Sequence, residues 1–196
     1  MNSASNLEAL PGKVTVTYAI DPSASRFNLH VTASGWLSVF GHNLDIAIRR
    51  YEGEIQVDSV SIDRSSLVLR IDAASLEVVS KTSDQDRRDI ERIMRDEVLL
   101  AREYPEIIYE CSQVKVSAMS NDRYWMALNG ELTLRGMTRP QSVSPIVTLN
   151  NSRLGASGEL SVLQTQFGIK PISTMGGGLV VKDELKFKFD IVAHKK

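Results

Sequence analysis

Residues 128–140 have the sequence Leu128-Asn129-Gly130-Glu131-Leu132-Thr133-Leu134-Arg135-Gly136-Met137-Thr138-Arg139-Pro140. Leu128, Leu132 and Leu134 share one side of an extended chain, and polar side chains share the other. This period of two predicts a β-strand over 124–135 with one apolar face. Gly136 ends the alternation, and Pro140, which cannot donate a ladder hydrogen bond, lies in the next extended run.

The same alternation recurs along most of the chain and predicts many short strands. They cover 14–20, 27–33, 44–48, 51–57, 67–71, 107–116, 143–149, 154–160 and 185–191. The apolar phase shifts by one residue at Arg49-Arg50, which predicts a β-bulge. Only residues 84–99 follow helical spacing, behind the capping residue Ser83. Strands at this spacing with one helix predict an antiparallel barrel or sandwich, and periodicity alone does not choose between them.

The sequence indicates one domain. Residues 13–194 contain no internal repeat, low-complexity tract or linker, so we predict a single domain there, preceded by a flexible leader over 1–12. The leader lacks the basic head and apolar core of a secretory signal peptide. We therefore expect a cytoplasmic protein, or a periplasmic one if a leader has been removed. No apolar run approaches the roughly 18–20 residues of a membrane span.

Charge and chemistry-bearing residues exclude several classes of function. The net charge of −1, from 23 basic and 24 acidic residues, gives no broad footprint for nucleic acid. His30, His42 and His194 are the three histidines and have no ligand spacing, so we expect no metal site. No Gly-x-Ser-x-Gly nucleophile motif occurs. Cys111 is the sole cysteine and lies in an alternating strand, which favours a buried, inert thiol.

Several segments resemble the YceI-like family. Residues 130–140 match its Gly-x-Leu-Thr-x-x-Gly-x-Thr-Arg-Pro signature, residues 18–27 resemble its opening hairpin, and residues 104–109 resemble its Tyr-Pro-x-Ile-x-Phe element. The resemblance covers about 14–194 and implies an all-β, lipocalin-like antiparallel barrel of about eight strands with one α-helix. It also implies a long isoprenoid-type lipid as ligand, no cofactor besides such a lipid, and the pairing into homodimers common among family members. Many members carry a His-Leu-Gly element where this chain has Val31, so its head-group region differs.

The barrel implied by this resemblance predicts a set of ligand contacts. The residues expected to contact the ligand are Phe27, Leu29, Trp36, Phe40, His42, Leu132, Leu134, Arg135, Phe167 and Phe187. The lipid tail would lie against apolar strand residues and the polar end near Trp36, Phe40 and His42, with Arg135 available to an anionic head group. A filled core needs the same apolar faces. A solid barrel that binds other proteins, and a lipid-modifying enzyme, therefore remain alternatives to a lipid carrier.

Overall fold

The computed structural model describes residues 15–34, 43–150, 152–174 and 179–196. The strands are β1 (Thr15–Ile20), β2 (Arg26–Val31), β3 (Ala33–Ser34), β4 (Leu44–Ile48), β5 (Tyr51–Asp58), β6 (Ser66–Asp72), β7 (Leu76–Val78), β8 (Glu106–Ser120), β9 (Arg123–Leu134), β10 (Met137–Val143), β11 (Ile146–Leu149), β12 (Arg153–Leu163), β13 (Ser173–Thr174), β14 (Leu179–Val181) and β15 (Glu184–Lys195). The helical elements are α1 (Asp84–Ile93), a π-type turn (Met94–Val98) and 3-10 turns at Ile62–Arg64, Ala73–Ser75 and Gln164–Phe167. The leader predicted over 1–12 lies outside the described residues.

Twelve of these strands form one closed wall. Four strands of the wall are interrupted: β1 continues into β2, β4 into β5, β6 into β7 and β10 into β11. Together with β8, β9, β12 and β15 they make eight strands. Each wall strand pairs antiparallel with its neighbours along the chain. β15 pairs with β12 on one side and with β1 and β2 on the other, which closes the barrel. The predicted barrel is confirmed, and closure removes the long open edges that an unclosed meander would expose.

The two ends of the barrel differ. Following the strand directions, one end carries α1, the turn between β9 and β10, and the small sheet of β3, β13 and β14. We call this the helix end. The opposite end carries the β8–β9 and β11–β12 connections and the 3-10 turn Ile62–Arg64. In the described part of the chain, the longer connections therefore lie at the helix end.

The predicted helix over 84–99 is confirmed as α1 followed by the π-type turn. Ser83 caps its first turn, since the Oγ atom accepts a hydrogen bond of 3.1 Å from the backbone N–H of Asp86. Glu91 fastens the helix to the wall, because its Oε1 accepts a bond of 2.9 Å from the N–H of Val78. The outer face of α1 is charged, and its apolar face turns toward the barrel interior.

The β-bulge predicted at Arg49-Arg50 is wrong, although the phase shift is present. These two residues separate β4 from β5, and the neighbouring wall strand is interrupted at the same level by the 3-10 turn Ala73–Ser75. Residue pairing runs from Ile48 opposite Leu76 to Tyr51 opposite Ile71, so residues 49–50 face residues 72–75. Both strands therefore break together, whereas a bulge adds one residue to one strand.

A buried serine bridges a similar interruption between β1 and β2. Asp21 and Ser25 both face Val192 of β15, where the ladder changes from β1 to β2. The Ser25 hydroxyl donates to the Val192 carbonyl at 3.1 Å and accepts from the Val192 N–H at 2.9 Å. The Ser25 side chain thus replaces a backbone partner, and the Ser25 carbonyl accepts a bond of 2.9 Å from the Tyr51 hydroxyl.

Replacing Ser25 with alanine is expected to lower the free energy of unfolding by about 1–3 kcal/mol, because the buried Val192 N–H loses its partner. Urea denaturation measures the loss. Ser23→Ala is the matched control, since Ser23 is exposed and its hydroxyl binds only the Asp21 carboxylate, at 2.6 Å. We expect the control to stay within about 0.5 kcal/mol of the native protein. Equal stability of the two variants would contradict the bridging role.

Candidate functional site

The barrel interior contains a cavity of about 440 Å³. Side chains from every wall strand except β1 line it, together with the inner face of α1. None of the described lining residues is charged, and only Ser65, Ser66, Tyr109 and Gln164 carry oxygen or nitrogen in their side chains. A cavity with such a surface offers almost nothing to water and a large apolar surface to a ligand.

At the helix end, the helix and one exposed residue contribute to the described lining of the cavity. Ile90, Ile93, Met94 and Val98 of α1 and its π-type turn contribute to the lining there. Of the described lining residues, only Ile172, just before β13, is also exposed to solvent, with 38% of its surface accessible. The most exposed part of the described lining therefore lies beside the small sheet at the helix end.

Two of the four polar lining residues are satisfied by the wall itself. The Tyr109 hydroxyl lies 3.2 Å from the Gln141 carbonyl and 3.3 Å from the Leu128 carbonyl. Burial raises the pKa of Tyr109, so the phenol stays neutral. Ser65 accepts a bond of 3.3 Å at its Oγ from the Asp58 N–H. These groups hold strands together and leave the middle of the cavity apolar.

Five of the residues predicted from the sequence come together on the cavity wall: Phe27, Leu29, Leu132, Leu134 and Phe187. Phe187 of β15 lies directly opposite Leu29 of β2 across the closing strand pair. Leu132 and Leu134 are successive inward positions of β9. The alternation in residues 124–135 thus placed the inner face of that strand correctly. Ligand contact by these side chains stays a prediction.

Two predicted contacts lie elsewhere. Phe167 is buried, with 1% of its surface accessible, but it ends the 3-10 turn Gln164–Phe167 and is not part of the cavity wall. The 3-10 turn ends the alternation of β12, so Phe167 is buried by the turn and not by a strand position that faces the cavity. Arg135 lies in the tight turn between β9 and β10 with a φ of 51° and does not reach the wall. Contact between Arg135 and an anionic head group stays a prediction. Trp36, Phe40 and His42 lie outside the described residues.

The sequence analysis missed Gln164 and the role of the helix. Leu160, Val162 and Gln164 are successive inward positions at the end of β12, so the period of two already placed an amide inside. The helical spacing predicted an apolar face on α1 but gave no information about what that face covers.

Among the described residues, the thiol and the two histidines lie away from the cavity or are inert. Cys111 is 4% accessible, and burial raises the pKa of its thiol, so the reactive thiolate is disfavoured. His30 lies 2.8 Å from Asp45, and His194 lies 3.4 Å from Asp21; both histidines are exposed outside the lumen. Within the described ranges, no group of three His, Cys, Asp or Glu side chains could hold a metal ion. No described helix is both long enough and apolar enough to cross a bilayer.

Comparisons with known proteins agree with this architecture. The model of the YceI-like domain matches residues 18–193. The structure of a polyisoprenoid binding domain from Saccharophagus degradans, implicated in plant cell wall breakdown, is 13% identical with a TM-score of 0.67, covering 91% of this chain and 98% of that one. Burkholderia cenocepacia BcnA is 19% identical with a TM-score of 0.65, covering 88% and 98%. The Campylobacter jejuni YceI protein is 17% identical with a TM-score of 0.56, covering 79% and 86%.

At these identities the solved structures support the fold alone. No curated protein matches the chain. The family model, in contrast, spans residues 18–193, which is nearly the whole closed wall from β1 to β15. This 196-residue barrel therefore belongs to the YceI-like family.

Proposed function

We propose that the protein binds a long apolar lipid chain in the barrel lumen and carries or sequesters it without changing it chemically. The observation that carries the proposal is the cavity of about 440 Å³ with an uncharged, almost wholly apolar lining. A solid barrel that only presents its outer surface to other proteins would have this volume filled by side chains. An isoprenoid, quinone or fatty-acyl chain is the class of molecule that such a lumen suits.

Burial of apolar surface would supply the affinity. Each buried methylene group contributes about 0.8 kcal/mol, corresponding to roughly 25 cal/mol per Å² of apolar area removed from water. Ordering the flexible chain and losing its free motion offset part of this gain. The wall is already formed by paired strands, so little of the gain is spent on folding the site.

The proposal gives the protein a binding role rather than a catalytic one. Tyr109 is the only titratable group among the described lining residues, and its raised pKa makes it a poor base at neutral pH. Neither serine on the wall has a histidine or carboxylate beside it among the described lining residues. The Saccharophagus degradans relative in fold is described as a polyisoprenoid binding domain, which supports a long apolar ligand.

A chain-length series tests the proposal. A fluorescent long-chain lipid is titrated into the purified protein, and unlabelled straight-chain alcohols of increasing length displace it. We expect one saturable site per chain and an affinity that rises up to about fourfold per added methylene until the lumen is full. The rise should then stop, because the cavity is finite. Absence of saturable binding, or an affinity independent of chain length, would contradict the proposal.

A further inference from the structure

Gln164 is a buried amide with an unused acceptor on the cavity wall. It lies at the helix end, immediately after β12, and only 5% of its surface is accessible. Its Nε2 atom donates a bond of 2.9 Å to the Lys182 carbonyl. Within the described part of the chain, nothing donates a hydrogen bond to its Oε1 atom, which is not sealed inside the protein. Every other side-chain oxygen or nitrogen of the lining belongs to a serine or to Tyr109.

The orientation of this amide follows from its partner. The Lys182 carbonyl can only accept, so the side-chain nitrogen must face it and the oxygen must face away. The carboxamide therefore retains one free acceptor and one free N–H. A group that donates and accepts hydrogen bonds, such as a hydroxyl, complements the free acceptor and the free N–H. A ketone or an ether can only accept and leaves Oε1 without a partner.

Gln164 also lies near the exposed lining residue at the helix end. The Val181 N–H donates a bond of 2.9 Å to the carbonyl of Ile172, the exposed lining residue, and Lys182 follows Val181 directly. A chain that enters past Ile172 would place its tail in the apolar lumen and its last polar atom at this level. The position suits the terminal head group of a lipid better than a group in the middle of its chain.

We propose that Gln164 receives the hydroxyl of a neutral long-chain alcohol and so selects this class of ligand over ethers, ketones and anions. The inference rests on the proposed function and adds the head-group chemistry to it. A carboxylate or phosphate at this position would be buried without a counter-ion, since no described lining residue is cationic. Lys170 and Lys182 have exposed side chains and are not part of the described lining, and the Asp183 carboxylate, which accepts bonds from Thr165, would repel an anion.

The test compares head groups on one tail. Dissociation constants of 1-hexadecanol, its methyl ether and hexadecanoate at pH 8 are measured by displacement of the fluorescent lipid. For the native protein we expect the alcohol to bind about tenfold more tightly than the ether, the value of one buried hydrogen bond. Hexadecanoate should bind at least as weakly as the ether. In Gln164→Met, the alcohol-to-ether ratio should fall to about one while the ether binds as before.

Several outcomes overturn the inference without touching the proposed function. Equal affinities of the native protein for alcohol and ether would do so, as would a ratio that survives in Gln164→Met. Tight binding of hexadecanoate would place the head group outside, at the exposed lysines. If none of the three molecules binds, the proposed function itself fails.

A loss of stability in Gln164→Met would still allow the ratio of alcohol to ether affinity to be measured. The bond to Lys182 is structural, so the variant is expected to melt earlier, whereas a purely structural role cannot change the ratio between two head groups. Should the variant fail to fold, the side-chain ¹⁵N–H signals of Gln164 in the native protein replace it as readout. They should shift on adding hexadecanol and not on adding the ether; identical shifts with both would contradict the inference.

Discussion

Leu132→Trp is expected to weaken lipid binding by at least about a hundredfold. Leu132 lines the cavity near the end of β9 and is incompletely covered by its neighbours. The indole would take the place of several methylene groups of the ligand, each contributing about 0.8 kcal/mol. Because the cavity has room for the ring, the melting temperature of the ligand-free protein should stay close to the native value. Displacement titration and calorimetry measure the two quantities.

Glu131→Trp is the matched control. Glu131 precedes Leu132 on the same strand, is exposed and faces outward, so the same ring is added on the other side of the wall. The control should bind lipid as the native protein does. In a solid core, the inner tryptophan would instead cost about 1–3 kcal/mol by overpacking. A strongly destabilised Leu132→Trp, with no difference in binding between the two variants, would therefore point to a filled barrel.

Gly130→Ala is expected to cost at least about 3 kcal/mol of stability. A Cβ atom at Gly130 would lie 2.4 Å from the carbonyl oxygen of Glu110 and 2.7 Å from the ring of Tyr109. The first contact is backbone, so β8 and β9 must separate at the irregular register between Cys111 and Gln113. The Tyr109 ring would also be driven from the carbonyls that it bonds. Changes of this size arise from steric conflicts that cannot relax.

Gly155→Ala provides the comparison, because it makes the same change on another wall strand. Its added Cβ would meet nothing closer than the Ile191 carbonyl oxygen at 4.0 Å. Alanine is better than glycine inside a strand, so this variant should match or exceed the native stability by up to about 1 kcal/mol. Thermal unfolding of both variants measures the difference in stability. Similar melting temperatures of the two variants would show that the close approach of β8 and β9 is not the reason for a glycine at position 130 of the 130–140 motif.

Alternation in the sequence predicted the wall of this barrel well. An antiparallel strand with one face inside must place apolar residues at every second position, so the sequence of each long strand indicates which of its faces is buried. β9 and β15 show this directly: Leu132, Leu134 and Phe187 are on the wall as predicted. Closure rests on pairing between β15 and β1–β2, at opposite ends of the sequence, which local alternation does not encode.

Failures of the sequence prediction cluster where the chain stops alternating. The broken strands at Arg49-Arg50 produce the same phase shift as a bulge, and only the pairing across the sheet distinguishes the two. Phe167 lies in a short 3-10 turn and Arg135 in a tight hairpin turn, where the alternation of a strand does not decide which way a side chain faces. Gln164 was missed for a different reason, since a polar residue at an inward position resembles a strand end until the surrounding cavity is known.

Mass spectrometry of the native protein tests the central claim most directly. Protein purified without detergent is extracted with organic solvent, and the extract is compared with those of Leu132→Trp and Glu131→Trp prepared in the same way. The account predicts about one long apolar lipid per chain in the native protein and in Glu131→Trp, and little or none in Leu132→Trp. The same lipid content in all three proteins, or a native protein that carries no lipid even after incubation with a total lipid extract, would contradict it.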